Sequence, residues 1–165
     1  MKVLVFGATS GIGLACARAL SGKHEVIGIG RDISKVSYPD IKFIQCDLQD
    51  RSSVTKLLKT IECPDIIIFS QGSAYYGLHE NISQEAINEM VAVDLQSPIE
   101  ITNFYLQKMK QRKSGHLIYI SSVTADSVNP HGACYGACKA GLRSFARSLF
   151  EEVRKTDVKV TLISP

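Results

Sequence analysis

The chain has 165 residues, of which 45% are hydrophobic and 21% charged, and its formal net charge is +3. These values are ordinary for one globular domain, and the charge is too mild to favour nucleic-acid binding. No apolar run approaches the roughly 20 residues that span a bilayer, and the N-terminus lacks the apolar core and cleavage site of a signal peptide. We therefore expect a cytoplasmic protein that binds neither nucleic acid nor a membrane.

Apolar runs rich in Val and Ile alternate with helical patterns, and most runs lack the polar alternation of a half-exposed strand. The predicted strands are Lys2–Phe6, Glu25–Ile29, Lys42–Cys46, Ile66–Ser70, His116–Ile120 and Lys159–Ile163. The predicted helices are Gly11–Leu20, Arg51–Ile61 after an Asp50 cap, a long helix from a Ser83 cap to about Lys110, and Ala133–Val153. This order predicts a doubly wound, parallel α/β sheet in one Rossmann-like domain that covers residues 1–165.

A glycine-rich turn directly follows the first strand. Gly7, Gly11 and Gly13 have the spacing G-x-x-x-G-x-G, which suits a tight turn, a close approach to a pyrophosphate and close packing of the next helix. The free N–H groups at that helix start would bind phosphates, and Thr9 and Ser10 can add hydroxyl donors. A turn that only connects strand to helix is the alternative, but its place after the first strand favours a dinucleotide site.

Charged residues follow the second and third strands, where dinucleotide folds bind the adenosine. Arg31 offers a forked, permanently charged partner for a 2′-phosphate, which favours NADP over NAD, although NAD use stays open. Asp32 could instead turn back to the ribose, and Arg31 could be a solvated loop charge. Asp47 could bind the adenine amino group or cap its own turn, and the sequence leaves both open.

A serine, a tyrosine and a lysine form the candidate catalytic set. Tyr135 and Lys139 are four residues apart in a predicted helix and so share a face, while Ser122 follows the fifth strand. A phenol can exchange a proton with an alcohol or carbonyl oxygen, and a nearby positive charge is expected to lower its pKa toward neutrality. Ser122 can hydrogen-bond the substrate oxygen and fix its position. In this order, and after the glycine turn, the three predict a nicotinamide-dependent oxidoreductase.

The five cysteines are odd in number and form no C-x-x-C pair, which indicates free thiols in a reducing compartment. Cys134 and Cys138 would lie one helical turn apart and could both touch a metal. No His or Cys cluster completes such a site, so we predict no metal and favour small residues that pack a helix.

These motifs resemble the short-chain dehydrogenase/reductase family, in its compact form with a single Rossmann-like domain. The matching parts are Gly7–Gly13, Asp47, Ser122 and Tyr135–Lys139, and the resemblance runs along the whole chain. It implies that Tyr135 is the acid/base, Lys139 its electrostatic partner and ribose ligand, and Ser122 the substrate-orienting residue. The cofactor-binding residues that it implies, together with the turn and charged residues above, are Gly7, Thr9, Ser10, Gly11, Ile12, Gly13, Arg31, Asp47, Leu48, Ser70, Gly72, Tyr135 and Lys139.

Three features depart from the family pattern. The family's Asn-Asn-Ala-Gly is replaced by Phe69–Gly72, in which only the glycine matches. Asp94 stands where the family has an asparagine that helps hold a proton-relay water, and its charge would alter the titration of Lys139. The chain ends at Pro165, directly after the sixth predicted strand, whereas the family continues with a nicotinamide loop and a substrate lid. We therefore expect a longer enzyme of about 230–260 residues, and expect residues 1–165 alone to bind NADP(H) weakly.

The combination predicts an NADP(H)-dependent oxidoreductase that interconverts a small carbonyl compound and its alcohol. A dinucleotide-binding sensor without turnover is the alternative, but a sensor has no need of the Ser-Tyr-Lys set. A purely structural domain would leave the whole set unexplained. Because the family builds a four-helix interface from its long helix and the helix that carries Tyr135, the resemblance also implies a homodimer or homotetramer. The side chains expected on that outer face are Ile99, Leu106, Phe145 and Leu149.

Overall fold

Six parallel strands form the centre of the fold. The computed structural model describes all residues, 1–165. Its strands are β1 (Lys2–Phe6), β2 (Glu25–Gly30), β3 (Ile41–Gln45), β4 (Ile66–Phe69), β5 (Gly115–Ile120) and β6 (Val158–Ile163). Its α-helices are α1 (Gly11–Ser21), α2 (Arg51–Thr60), α3 (Gln84–Met90), α4 (Ser97–Gln111) and α5 (Ala133–Val153). None of these helices is long and apolar enough to cross a membrane.

The sheet has the order β3-β2-β1-β4-β5-β6, and every neighbouring pair is parallel. The predicted doubly wound parallel α/β fold is therefore confirmed. The strand order reverses between β1 and β4, and open α/β sheets bind their ligands at the carboxyl ends of the strands beside such a point. Gly7, Ser70 and Ser121 each directly follow one of the strands β1, β4 and β5. The topology thus brings the glycine turn and the serine pair to one edge of the sheet.

Burial of both sheet faces explains why the strands read as continuous apolar runs. All four residues from Val3 to Phe6 are fully buried. The rings of Phe6 and Phe69 stack at 5.6 Å between centroids, and those of Phe69 and Tyr119 stack at 4.9 Å. These three aromatic rings lie on neighbouring strands, so they tie the middle of the sheet together.

Element boundaries differ from the predictions by one or two residues. The third strand ends at Gln45 and not at Cys46, and the fourth ends at Phe69 and not at Ser70. The predicted caps hold: the Asp50 carboxylate accepts from the Ser52 N–H at 2.9 Å, and the Ser83 hydroxyl accepts from the Ala86 N–H at 3.2 Å. Both caps form because an Asp or Ser side chain can reach the free N–H groups of the first turn.

The predicted long helix runs from Gln84 to Gln111 but has a π-helical segment, Val91–Gln96, between α3 and α4. A π-helical turn inserts an extra residue per turn, and such turns are frequent at functional sites. Asp94, the residue that departs from the family pattern, lies in this segment and is fully buried. Its backbone geometry therefore differs from that of a regular helix, which periodicity alone did not predict.

The prediction that Leu149 lies on the outer face of α4 and α5 is wrong. Leu149 is 4% exposed and belongs to the main core, so it faces the sheet. Leu106 and Phe145 are partly buried against the same core. A 21-residue helix has to bury one apolar stripe to be stable, and Leu149 lies in that stripe. The homodimer or homotetramer stays a prediction.

Candidate active site

A cleft of about 640 Å³ opens at the carboxyl ends of the strands. Of the predicted site residues only Gly13 does not line it. The cleft is lined by Gly7, Thr9, Ser10, Gly11, Ile12, Arg31, Asp47, Leu48, Ser70, Gly72, Ser122, Tyr135 and Lys139, among others. A second hollow, of about 690 Å³, lies against α5 and β6 and contains none of the predicted residues. The chemistry that the sequence indicates is therefore gathered in one place.

The glycine turn requires glycine at specific positions. Gly7 and Gly11 have φ values of +77° and +51°, in the left-handed region that side chains disfavour. A Cβ on Gly7 would lie 2.6 Å from the Gln71 backbone, whereas a Cβ on Gly11 would meet nothing within 4 Å. Gly11 therefore leaves its side of the cleft open. Gly13 is buried under the turn, where a Cβ would overlap the Gly7 carbonyl oxygen. Its role is to let α1 pack against the turn, and it does not line the cleft.

The first turn of α1 fits a phosphate group. Ser10 is the N-cap of this helix, but its side chain makes no capping hydrogen bond. A helix start without a side-chain acceptor presents N–H groups and the positive end of the helix dipole to an anion. The open space above Gly11 adjoins this helix start. The glycine turn of this chain therefore fits the pyrophosphate of NAD(P).

Gly13→Ala is expected to destabilise the protein by about 2 kcal/mol, because the new methyl group would overlap backbone that has no room to move. The matched control is Gly22→Ala, since Gly22 has no atom within 4 Å of its Cβ position and a φ of −69°. Urea unfolding of both variants measures the difference. Equal stabilities for the two variants would show that the turn does not constrain Gly13.

Ser122, Tyr135 and Lys139 all line the cleft. The Ser122 hydroxyl accepts from the N–H of Thr124 at 3.2 Å and pairs with its hydroxyl at 2.9 Å. Tyr135 lies in the first turn of α5, and the Lys139 Nζ lies 5.6 Å from the centre of its ring. Tyr76 packs against the Tyr135 ring edge to face, at 5.9 Å between centroids. The three predicted side chains therefore lie in one cleft.

The pKa of Tyr135 is raised, mainly because the phenol is partly buried. A hydrogen bond with Ser122 lowers this pKa, and the negative charge of Asp94 raises it. The expected lowering of the Tyr135 pKa toward neutrality is therefore wrong for this chain, mainly because burial disfavours the charged phenolate. The phenol is therefore protonated at neutral pH, which is the state that can donate a proton.

Asp94 and Lys139 form a buried ion pair. The Asp94 Oδ1 lies 2.8 Å from the Lys139 Nζ, and the two side chains are 0% and 4% exposed. The Asp94 Oδ2 accepts from the Ser73 N–H at 2.9 Å, and Lys139 also donates to the Gln71 carbonyl at 3.5 Å. Burial raises the pKa of Asp94, while the charge of Lys139 opposes that rise. The pair fixes the lysine and joins α5 to the loop after β4.

The two acidic candidates after β2 and β3 are held by their own loops. Asp32 accepts from both the N–H and the hydroxyl of Ser34, at 2.9 and 2.6 Å. Asp47 accepts from the Gln49 N–H at 2.9 Å, so it caps its own turn, which is one of its two predicted roles. Both still line the cleft.

Arg31 is engaged by a residue that sequence reasoning missed. Its Nη1 lies 2.9 Å from the Oε1 of Glu89 in α3, and both side chains line the cleft. No signal in the sequence marked this glutamate, since its side-chain hydrogen-bond partners Arg31, Ser73 and Tyr75 all lie outside its own helix. Its partner Arg31 is 58 residues away, a distance that no local pattern bridges.

Comparisons with known proteins identify the family of this chain. The sequence model of short chain dehydrogenase matches residues 1–165. An uncharacterized oxidoreductase of Staphylococcus aureus is 30% identical, and the alignment covers 98% of this chain and 75% of that protein. A putative betaketoacyl-ACP reductase superposes with a TM-score of 0.93 at 26% identity, covering 100% of this chain and 72% of the other. A serine dehydrogenase complexed with NADP⁺ gives a TM-score of 0.91 at 28% identity, covering 100% and 71%. This chain belongs to the short-chain dehydrogenase family and is an NAD(P)-dependent oxidoreductase.

Proposed function

We propose that this protein is an NADP(H)-dependent oxidoreductase that reduces a small carbonyl compound to its alcohol, with Tyr135 as the proton donor. The observation that carries the proposal is the meeting of Ser122, Tyr135 and Lys139 in the same cleft as the glycine turn. The similar serine dehydrogenase was solved with NADP⁺, which supports the choice of a nicotinamide cofactor. The free cysteines that the sequence predicts suit a cytoplasmic setting.

The residues of the chain have distinct roles in this proposal. A bound nicotinamide cofactor would supply the hydride that reduces the carbonyl carbon. Ser122 hydrogen-bonds the carbonyl oxygen and holds it near the phenol. Tyr135, protonated because its pKa is raised, gives its proton to that oxygen as negative charge develops there. Lys139 is held by Asp94 and the Gln71 carbonyl, which places its ammonium group beside the Tyr135 ring.

The test is the loss of NADPH absorbance with a panel of aldehydes and ketones. A carbonyl-dependent loss is expected, and a reaction without carbonyl compound gives the background. The sensor alternative predicts tight NADPH binding and no loss with any compound. Turnover with NADH alone would contradict the choice of NADP(H) and leave the oxidoreductase assignment intact.

Arg31→Ala is expected to weaken NADPH binding about tenfold and to change NADH binding little. The guanidinium is the exposed cationic fork at the adenosine end of the cleft, and a charge-assisted contact with a phosphate is worth about 1.5–3 kcal/mol. Isothermal titration calorimetry with the two cofactors measures the difference. Equal losses for NADPH and NADH would place Arg31 outside the 2′-phosphate site. Arg51→Ala, which removes an exposed arginine that pairs with Glu100, is the control.

A further inference from the structure

The ion pair between Arg31 and Glu89 joins two separate elements that line the cleft. Arg31 follows β2 and its side chain is 64% exposed, whereas Glu89 lies in α3 and is 12% exposed. The exposed partner can change its rotamer at low cost, while the buried one cannot. Glu89 is therefore the fixed member of the pair, and Arg31 is the member that is held.

Glu89 is fixed by two hydroxyl groups besides Arg31. Its Oε1 accepts from the Ser73 hydroxyl and its Oε2 from the Tyr75 hydroxyl, both at 2.8 Å. These contacts lower its pKa, with the Ser73 hydrogen bond as the largest cause, so the carboxylate is ionised at neutral pH. Ser73 in turn is bound through its N–H to Asp94, so this network continues to the Lys139 ion pair.

A 2′-phosphate and the Glu89 carboxylate require the same partner. A guanidinium binds either anion through its N–H fork, and the two anions repel each other when both are close. Binding of NADPH therefore has one of two costs. Either the Arg31–Glu89 ion pair breaks, or the phosphate binds Arg31 close to the Glu89 carboxylate, which repels it. NADH carries no 2′-phosphate and meets neither cost.

We propose that Glu89 is a specificity-determining residue, which holds Arg31 in an ion pair and so restrains the preference of this enzyme for NADP(H) over NAD(H). The inference rests on the proposed function, because it needs Arg31 to be the 2′-phosphate ligand. Glu89 acts through Arg31 and is thus a positioning residue. The Arg31–Glu89 pair therefore makes the preference for NADPH over NADH smaller than the arginine alone implies.

The experiment is a calorimetric titration of the parent protein and Glu89→Gln with NADPH, NADH and 2′,5′-ADP. The variant keeps one of the two acceptor oxygens, and the hydroxyl group that faces its new NH2 can turn to accept from it. It loses the charge that holds Arg31. It is expected to bind NADPH and 2′,5′-ADP about tenfold more tightly and NADH within about twofold of the parent. Glu80→Gln removes the same charge from an exposed residue and is expected to change none of the three.

A double-mutant cycle with Arg31→Ala tests whether the effect passes through the arginine. In that background Glu89→Gln is expected to change NADPH affinity by less than about twofold. An undiminished tenfold gain there would overturn the inference, because Glu89 would then act on the phosphate directly. Equal changes for NADPH and NADH, or no change for either, would also overturn it. Failure of the parent to bind either cofactor would refute the proposed function itself.

Discussion

Tyr135→Phe is expected to slow carbonyl reduction by about 10²–10⁴-fold and to leave NADPH affinity nearly unchanged. The substitution removes one hydroxyl group and keeps the ring, so the contact with Tyr76 and the packing of α5 are preserved. The lost hydroxyl is the proposed proton donor, and general acid catalysis contributes about 10²–10⁴-fold. Steady-state reduction of one carbonyl substrate and NADPH titration, both on the same preparation, measure the two effects separately.

Tyr76→Phe is the matched control for this prediction. Tyr76 packs against Tyr135 but is 56% exposed, and it is not among the residues that line the cleft. Removing the Tyr76 hydroxyl group is expected to change turnover by less than about threefold, because surface substitutions without a buried partner have small effects. Near-parental turnover by Tyr135→Phe would show that the proton comes from another group.

The raised pKa of Tyr135 also fixes the direction of its pH dependence. The phenol donates only when it is protonated, so reduction is expected to stay level through neutral pH and to fall as the pH rises toward the pKa of the phenol. If Lys139 instead lowered that pKa to near neutrality, the rate of reduction would begin to fall near neutral pH. A pH profile of turnover at saturating cofactor separates the two cases.

The sequence predicted the parts of this site that depend on short spacings. The glycines of the first turn, and the Tyr135–Lys139 pair on α5, each lie within seven residues of one another and follow from the strand and helix around them. The sheet order then brings Ser122 to the same edge, because parallel strands present their carboxyl ends together.

Short spacings did not predict two electrostatic properties of the site, which are the partner of Arg31 and the burial of Asp94. Arg31 was expected to be free for a phosphate, yet it pairs with Glu89, which folding brings from 58 residues away. Asp94 was recognised as unusual, but its burial and its distance from Lys139 depend on the π-helical segment that carries it. The ion-pair partners of charged side chains are therefore hard to predict from sequence, since they depend on which residues tertiary packing places beside each charge.

Lys139→Met is expected to destabilise the protein by about 3–5 kcal/mol at neutral pH, independently of its effect on activity. Asp94 is fully buried, and removing the only ammonium group beside it leaves a carboxylate without a counter-ion. Lys110→Met is the control, because Lys110 pairs with Glu152 at the surface, where ion pairs contribute at most about 1 kcal/mol. Urea unfolding of both variants gives the two free energies.

The pH dependence of this loss identifies its cause. Burial already raises the pKa of Asp94 above its unfolded value, so the folded protein binds that proton more tightly than the unfolded chain does. Stability from this group is present below the unfolded pKa and is lost as the pH rises through the folded pKa. Without Lys139 the folded pKa rises further, so the variant is expected to lose stability over a wider range, from about pH 4 toward neutrality.

The same measurement in acid and at neutral pH is therefore decisive for the buried pair. The destabilisation by Lys139→Met is expected to shrink near pH 4, where Asp94 is protonated and needs no counter-ion. Adding Asp94→Asn to Lys139→Met is expected to restore most of the stability at neutral pH, since the double variant buries no unpaired charge. A loss that is independent of pH and no larger than that of Lys110→Met would mean that Asp94 is neutral in the folded protein, and that the Asp94–Lys139 ion pair does not hold the site together.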